Sequence, residues 1–211
     1  MGNAPTAHVE TVDFVMLYIV AISVVLLLGI TATMIYFVFK YNRKHGHKPV
    51  DIPYNIPLEI IWITIPTLLV LSMFYYGYTG FEQARVIPDN AFVIKVTARQ
   101  WDWKFTYANG KEADSLYVPV NRPIKLELHS VDVNHSLFIP AFRLKEDVVP
   151  NENNYMVFTP RELGKYEIAC AEYCGLNHSN MYSGVVVMPQ VEFTKWYNTK
   201  TDTTKKASVG N

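Results

Sequence analysis

Two long uncharged stretches constrain this chain more than any other feature. Between Phe14 and Phe39, and again between Ile60 and Phe81, no side chain carries a charge, and aliphatic and aromatic residues dominate. Each run is long enough to cross the hydrocarbon core of a bilayer as an α-helix. Two such helices have little place in the core of a soluble protein of 211 residues. They read instead as a transmembrane hairpin, with helices over about 12–39 and 57–80. Nothing basic precedes the first run, and it exceeds the apolar part of a secretory signal, so it is expected to stay in the mature protein. The connection holds Lys40, Arg43, Lys44 and Lys48 with no acid before Asp51. The positive-inside tendency puts that loop in the cytoplasm and both termini outside, in the periplasm or its equivalent.

Local signals agree with these limits. Glu10 and Asp13 suit the N-terminus of the first helix, Asn55 can cap the second, and Pro57 falls in its first turn, where a missing N–H costs little. Pro66 lies inside the second helix and predicts a kink, while Tyr75, Tyr76 and Tyr78 gather near its outer end, as amphipathic rings do at a membrane interface.

After residue 90 the pattern changes to short β-branched and aromatic segments divided by turn residues. Strands are predicted over Phe92–Ala98, Lys104–Tyr107, Leu116–Val118, Ile124–Ser130, Asn154–Thr159, Lys165–Ala169 and Gly184–Met188. This is an all-β domain, a sandwich or small barrel over 91–190 that follows a membrane segment of 1–90. A short amphipathic helix is predicted over Val191–Asn198, with Trp196 on its buried side, and a loose tail rich in Thr and Lys completes 191–211. Net charge is zero, with Lys and Arg equal in number to Asp and Glu, which argues against a nucleic-acid binder.

Chemistry concentrates in one segment. Both cysteines fall in Cys170-Ala-Glu-Tyr-Cys174-Gly-Leu-Asn-His178-Ser-Asn-Met181, and His135 stands in Val131-Asp132-Val133-Asn134-His135-Ser136. Thiolates and a thioether are soft donors that favour copper, and two bridging sulfurs suit two copper ions. Spacing alone leaves other readings open: a disulfide between the cysteines, structural zinc on Cys170, Cys174, His178 and His135, or Met181 as a core residue. The cysteines are too far apart for a thioredoxin-like motif, and the covalent haem signature is absent.

With these motifs, and with Arg99-Gln100-Trp101-Asp102-Trp103 and Leu144-Lys145-Glu146-Asp147 in the same order, the chain resembles cytochrome c oxidase subunit II along nearly its whole length. The resemblance implies a two-helix membrane hairpin followed by a cupredoxin-like β-domain. It implies a binuclear copper A centre bridged by Cys170 and Cys174, with His135 and His178 on one copper each, Met181 on one and the Glu172 carbonyl on the other. The Glu172 side chain would reach a magnesium ion at the boundary with subunit I. Trp101 matches the tryptophan through which electrons arrive from cytochrome c, although Asp102 replaces the tyrosine that many members carry there. Asp102, Asp132, Asp147 and Glu152 are candidates for an acidic docking face toward a basic donor. Glu59, in Pro57-Leu58-Glu59-Ile60-Ile61-Trp62, matches a glutamate at a proton-path entrance, and its alternative reading is an acid favoured by the helix N-terminus.

The function this implies is transfer of electrons from a c-type cytochrome, through copper A, to haem in subunit I, in a complex that also contains subunit III. That complex reduces dioxygen to water and pumps protons, in a bacterial inner membrane with the copper domain outside. Two other functions are kept in view: a membrane-anchored copper carrier or storage protein, and a quinol oxidase subunit II, against which the complete ligand set argues.

Overall fold

A computed structural model describes residues 4–46, 48, 50–51 and 53–199. The predicted tail from residue 200 onward lies outside them. The chain divides into two compact units, one of Val12–Phe81 and the other of the described residues within Met1–Thr11 and Glu82–Asn211.

In the first unit, α1 (Ala7–Lys40) and α2 (Ile56–Arg85) contain the two uncharged runs, and neither helix buries a described residue within the chain. A helix apolar all round has no preferred face toward water and is suited to lipid. Asn55 caps α2 by accepting from the Leu58 N–H at 3.1 Å. Hydroxyls within the apolar runs are satisfied locally, as when Thr33 donates to the Gly29 carbonyl at 2.8 Å and Thr67 to that of Ile63 at 2.7 Å. The helices meet where Tyr18 and Ser72 share a 2.6 Å hydrogen bond and the Tyr76 ring stands edge-on to Phe14 and Tyr18.

The second unit is a sandwich of two five-stranded sheets. One has the order β3-β2-β1-β5-β8, built from β1 (Phe92–Arg99), β2 (Asp102–Tyr107), β3 (Glu112–Ala113), β5 (Ile124–Ser130) and β8 (Asn154–Phe158). The other has the order β4-β10-β9-β6-β7, from β4 (Leu116–Pro119), β6 (His135–Ile139), β7 (Leu144–Val148), β9 (Gly164–Cys170) and β10 (Tyr182–Met188). Alternation along each strand sends one set of side chains inward: Ile94, Val96 and Ala98 from β1, Trp103, Phe105 and Tyr107 from β2, Leu137 and Ile139 from β6, Val185 and Val187 from β10. Burial of each large side chain contributes roughly 1.5–3 kcal/mol. Helix α3 (Gln190–Asn198) closes one side of the core with Phe193 buried, and its half-buried Trp196 stacks on Tyr117 at 4.4 Å.

Three strands depart from the sequence reading. β3 is only a two-residue pairing of Glu112 and Ala113 with β2. β6 begins on His135, and β7 has charged Lys145, Glu146 and Asp147 in succession. β7 is an edge strand, where charge is favourable because it discourages pairing with other chains. The N-terminal segment belongs with this unit: the Pro5 carbonyl accepts from the Arg161 N–H at 2.7 Å, and Glu10 lies 3.5 Å from the Arg161 guanidinium.

Candidate metal centre

Three adjacent strands bring the donor residues together. β9 ends at Cys170, β10 begins at Tyr182, and the two strands pair with Tyr182 opposite Ala169. The segment between them is therefore a loop folded over one end of the sandwich. β6 lies on the other side of β9, with Leu137 opposite Cys170, which brings His135, at the start of β6, to the same end. The loop is fixed by backbone bonds from Cys170 N–H to the Met181 carbonyl at 3.1 Å and from Ala171 N–H to the Ser136 carbonyl at 3.0 Å. A short turn, His178–Asn180, returns His178 toward the cysteines.

The side chains converge. The sulfurs of Cys170 and Cys174 are 3.8 Å apart, far beyond the roughly 2.05 Å of a disulfide, and both are free thiols. His135 Nδ1 lies 3.9 Å from Cys170 Sγ, His178 Nδ1 3.5 Å from Cys174 Sγ, and Met181 Sδ 3.7 Å from Cys174 Sγ. The Glu172 carbonyl is 3.2 Å from Cys170 Sγ, while its side chain is exposed. His135 and Met181 are buried at 0% and 1% exposure, so neither is a surface residue that happens to pass nearby.

Hydrogen bonding and burial set the state of these candidate ligands. His135 Nε2 is bonded at 2.9 Å to Asp132 Oδ1, a carboxylate acceptor, so in the neutral ring Nε2 carries the proton and Nδ1 presents its lone pair toward Cys170. Burial alone would raise the Asp132 pKa, but bonds from His135 and from the Gln100 and Val133 N–H groups hold it below the ordinary carboxylate range. Burial, with Cys170 alongside, pushes the Cys174 thiol up to about 12. A raised thiol pKa favours the protonated form, so a metal held there would displace that proton.

This arrangement fits a metal. An ion ~2.3 Å from each sulfur fits across the 3.8 Å gap. Two thiolates, two imidazoles, a thioether and a carbonyl exceed what one tetrahedral zinc takes up, and the inward Met181 sulfur is a soft donor suited to copper.

The other expected site residues are distributed as follows. Trp101 is half-buried beside the ligand loop and donates from Nε1 to the Cys174 carbonyl at 3.2 Å. Asp102 forms a double ion pair with Arg99, both contacts at 2.7 Å. Asp147 is engaged by Lys145 at 2.7 Å and by the Ser136 hydroxyl at 2.8 Å, and these bonds lower its pKa. Glu152 is exposed. Glu59, in the first turn of α2, is half-buried and accepts from the Tyr54 hydroxyl, which raises the Tyr54 pKa. Two contributors were not singled out from sequence. Gln100 donates to the Cys174 carbonyl at 2.7 Å, and Gly175, at φ +120°, leaves the space that Gln100 and Trp101 fill. Both stand inside quoted motifs, next to Trp101 and Cys174, and that adjacency is the only signal the sequence carries.

A two-helix membrane hairpin joined to a β-sandwich with a His, Cys and Met cluster at one end defines a membrane-anchored protein of the cupredoxin class. Residues 1–78 match the family described as cytochrome C oxidase subunit II, transmembrane domain, and residues 111–189 match cytochrome C oxidase subunit II, periplasmic domain. The chain belongs to the cytochrome c oxidase subunit II family. It is a subunit of cytochrome c oxidase, membrane-anchored with a periplasmic domain, and its cluster is consistent with copper A. It is 26% identical to cytochrome c oxidase subunit 2 of Synechocystis, over 93% of this chain and 74% of that protein. It is 35% identical to the subunit 2 of Alkalihalophilus pseudofirmus over 84% of this chain, but spans only 56% of that protein. The crystal structure of the periplasmic domain of subunit II of the Bradyrhizobium japonicum oxidase superposes with a TM-score of 0.50 at 29% identity, covering 53% of this chain and 94% of that one.

Proposed function

We propose that this chain accepts single electrons from a c-type cytochrome at Trp101 and passes them, through a binuclear copper centre, to haem in subunit I. The supporting observation is the convergence of Cys170, Cys174, His135, His178 and Met181, with the two sulfurs 3.8 Å apart, beside a tryptophan bonded to the Cys174 carbonyl. When bound, the copper pair supplies a site that takes up and releases one electron with little rearrangement. The protein's own part is to hold each donor before the metal arrives. Asp132 fixes the His135 ring, the β9–β10 loop fixes the two sulfurs, and burial of Met181 keeps water from its sulfur. The carbonyl of Glu172 lies 3.2 Å from Cys170 Sγ, and its exposed side chain is proposed to reach a magnesium ion shared with subunit I.

Asp102, Asp132, Asp147 and Glu152 are proposed to shape the electrostatic rim that the donor meets. Glu59, bonded to Tyr54 at the start of α2, is proposed as a proton-path entrance serving subunit I, with the protein in a bacterial inner membrane and subunit III completing the core.

The test uses the full-length protein loaded with copper. Two coppers per chain and an electron paramagnetic resonance spectrum of one electron shared over two nuclei are expected, whereas a single-copper or zinc-only product would overturn the reading. In the assembled oxidase, Trp101→Phe should slow oxidation of cytochrome c with the copper spectrum intact. Glu59→Ala should slow proton-coupled reduction of the oxygen site without changing copper content.

A further inference from the structure

The corner at which Trp101 meets the ligand loop is held by a side chain that the proposed function does not yet use. Gln100 Nε2 donates to the Cys174 carbonyl at 2.7 Å, and the same oxygen accepts from the Trp101 indole at 3.2 Å. The backbone N–H of Gln100 donates to Asp132 Oδ2 at 2.7 Å, while Oδ1 of that carboxylate holds His135 Nε2 at 2.9 Å. Gln100 is thus tied at its backbone to the segment that carries one imidazole and at its side chain to one of the two sulfur-bearing residues. Gln100 is otherwise exposed, and it is packed closely on the side of Gly175. A Cβ on Gly175 would stand 2.9 Å from Gln100 Nε2 and 3.2 Å from Trp101 Cζ2.

The chemistry of this contact selects glutamine. The Cys174 carbonyl needs a donor, which the amide N–H₂ supplies without a net charge beside the metal. A glutamate of the same size would set a carboxylate oxygen against the carbonyl oxygen, acceptor against acceptor. A leucine would leave the carbonyl to the indole alone, with no second donor to hold that oxygen in place.

We propose that Gln100 is a positioning residue for electron transfer, clamping the Cys174 carbonyl and the Trp101 indole in one geometry. This rests on the reading of Trp101 as the point at which electrons arrive. One electron leaves the reduced donor haem and one reduces the metal pair, and Gln100 exchanges neither electron nor proton. Its contribution is distance and orientation, to which transfer between fixed partners is sensitive.

The experiment compares wild type, Gln100→Leu, Gln100→Glu and Trp101→Phe as full-length protein, in the assembled oxidase and metal-free in detergent. In the oxidase, Gln100→Leu and Gln100→Glu should each slow reduction of the copper centre by cytochrome c about ten-fold, with two coppers still bound. In the metal-free protein, the fraction of tryptophan emission that Trp101→Phe removes should become more accessible to acrylamide in both Gln100 variants. A loss shared by the uncharged Gln100→Leu and the equally sized Gln100→Glu identifies hydrogen-bond donation as the cause, because the missing donor is the one change common to both. Wild-type transfer rates and quenching in both Gln100 variants, alongside a slow Trp101→Phe, would overturn the clamp alone. A Trp101→Phe enzyme with wild-type rate would instead sink the reading of Trp101, and the quenching comparison would still decide whether Gln100 holds the indole.

Discussion

Asp132 and His135 are joined by a 2.9 Å bond from ring Nε2 to Oδ1, and this bond decides which nitrogen of the ring faces Cys170. The same carboxylate also accepts from the backbone N–H groups of Gln100 and Val133 at 2.7 and 2.6 Å. An acid that the sequence offers as part of a docking face therefore also holds a histidine of the candidate metal centre.

Asp132→Asn replaces one of these acceptor oxygens by a donor, so either the ring or a backbone N–H loses its partner. Copper affinity should fall about 10–100-fold, the usual effect of removing a group that orients a metal-ligating histidine. Titration against a competing chelator measures this, with circular dichroism as the control for folding. Unchanged affinity would mean that packing alone orients the ring.

Gly175 adopts φ +120°, which side chains disfavour, and the methyl of Gly175→Ala would press on Gln100 and Trp101. A cost of about 1–3 kcal/mol in stability is expected from the backbone conformation. Slower electron arrival from cytochrome c should accompany it. Chemical denaturation and stopped-flow oxidation of the donor read the two effects separately.

Tyr107 supplies a pH dependence. Its hydroxyl donates to the Tyr117 carbonyl at 2.9 Å and accepts from the Tyr117 N–H at 2.8 Å, and burial raises its pKa above the ordinary tyrosine range. In the unfolded chain the phenol ionises near pH ~10, while in the folded protein it stays neutral at that pH. Its contribution to stability is thus complete below pH ~10 and is lost as pH rises through the folded value. Tyr107→Phe should cost about 1–3 kcal/mol at neutral pH, because both Tyr117 groups lose their partner. It should also flatten the loss of stability above pH ~10, as measured by urea unfolding at a series of pH values.

Arg99 and Asp102 form a double contact at 2.7 Å beside Trp101, so the charge of this acid is compensated where a donor would dock. Arg99→Ala removes the positive partner. Oxidation of a basic cytochrome c should then speed up at low ionic strength and lose that gain as salt screens the interaction. An unchanged rate at low salt would count against a role for Asp102 in steering.

Much of this protein can be read from local pattern. Lipid and water impose opposite demands on side chains, so the uncharged runs Phe14–Phe39 and Ile60–Phe81 stand out in one dimension. Alternation does the same for strands buried on one face, such as Ile124–Ser130, whose bounds agree in sequence and structure. It is less informative for β6 and β7. β6 opens on two polar residues, His135 and Ser136, that are buried by neighbouring strands, and β7 is an edge whose charges resemble those of a loop.

The sequence by itself determined the membrane hairpin, the β-domain and the inventory of soft donors around Cys170 and Cys174, because each follows from residue type and short-range spacing. Only the tertiary structure decided how those donors are held. His135, with Asp132 beside it, and Cys170 are distant in sequence but adjacent across β6 and β9, and Gln100 and Trp101 reach the site from one further segment of chain. Such contacts depend on strand order and register, quantities that hydrogen bonding between distant segments fixes and that local spacing does not encode.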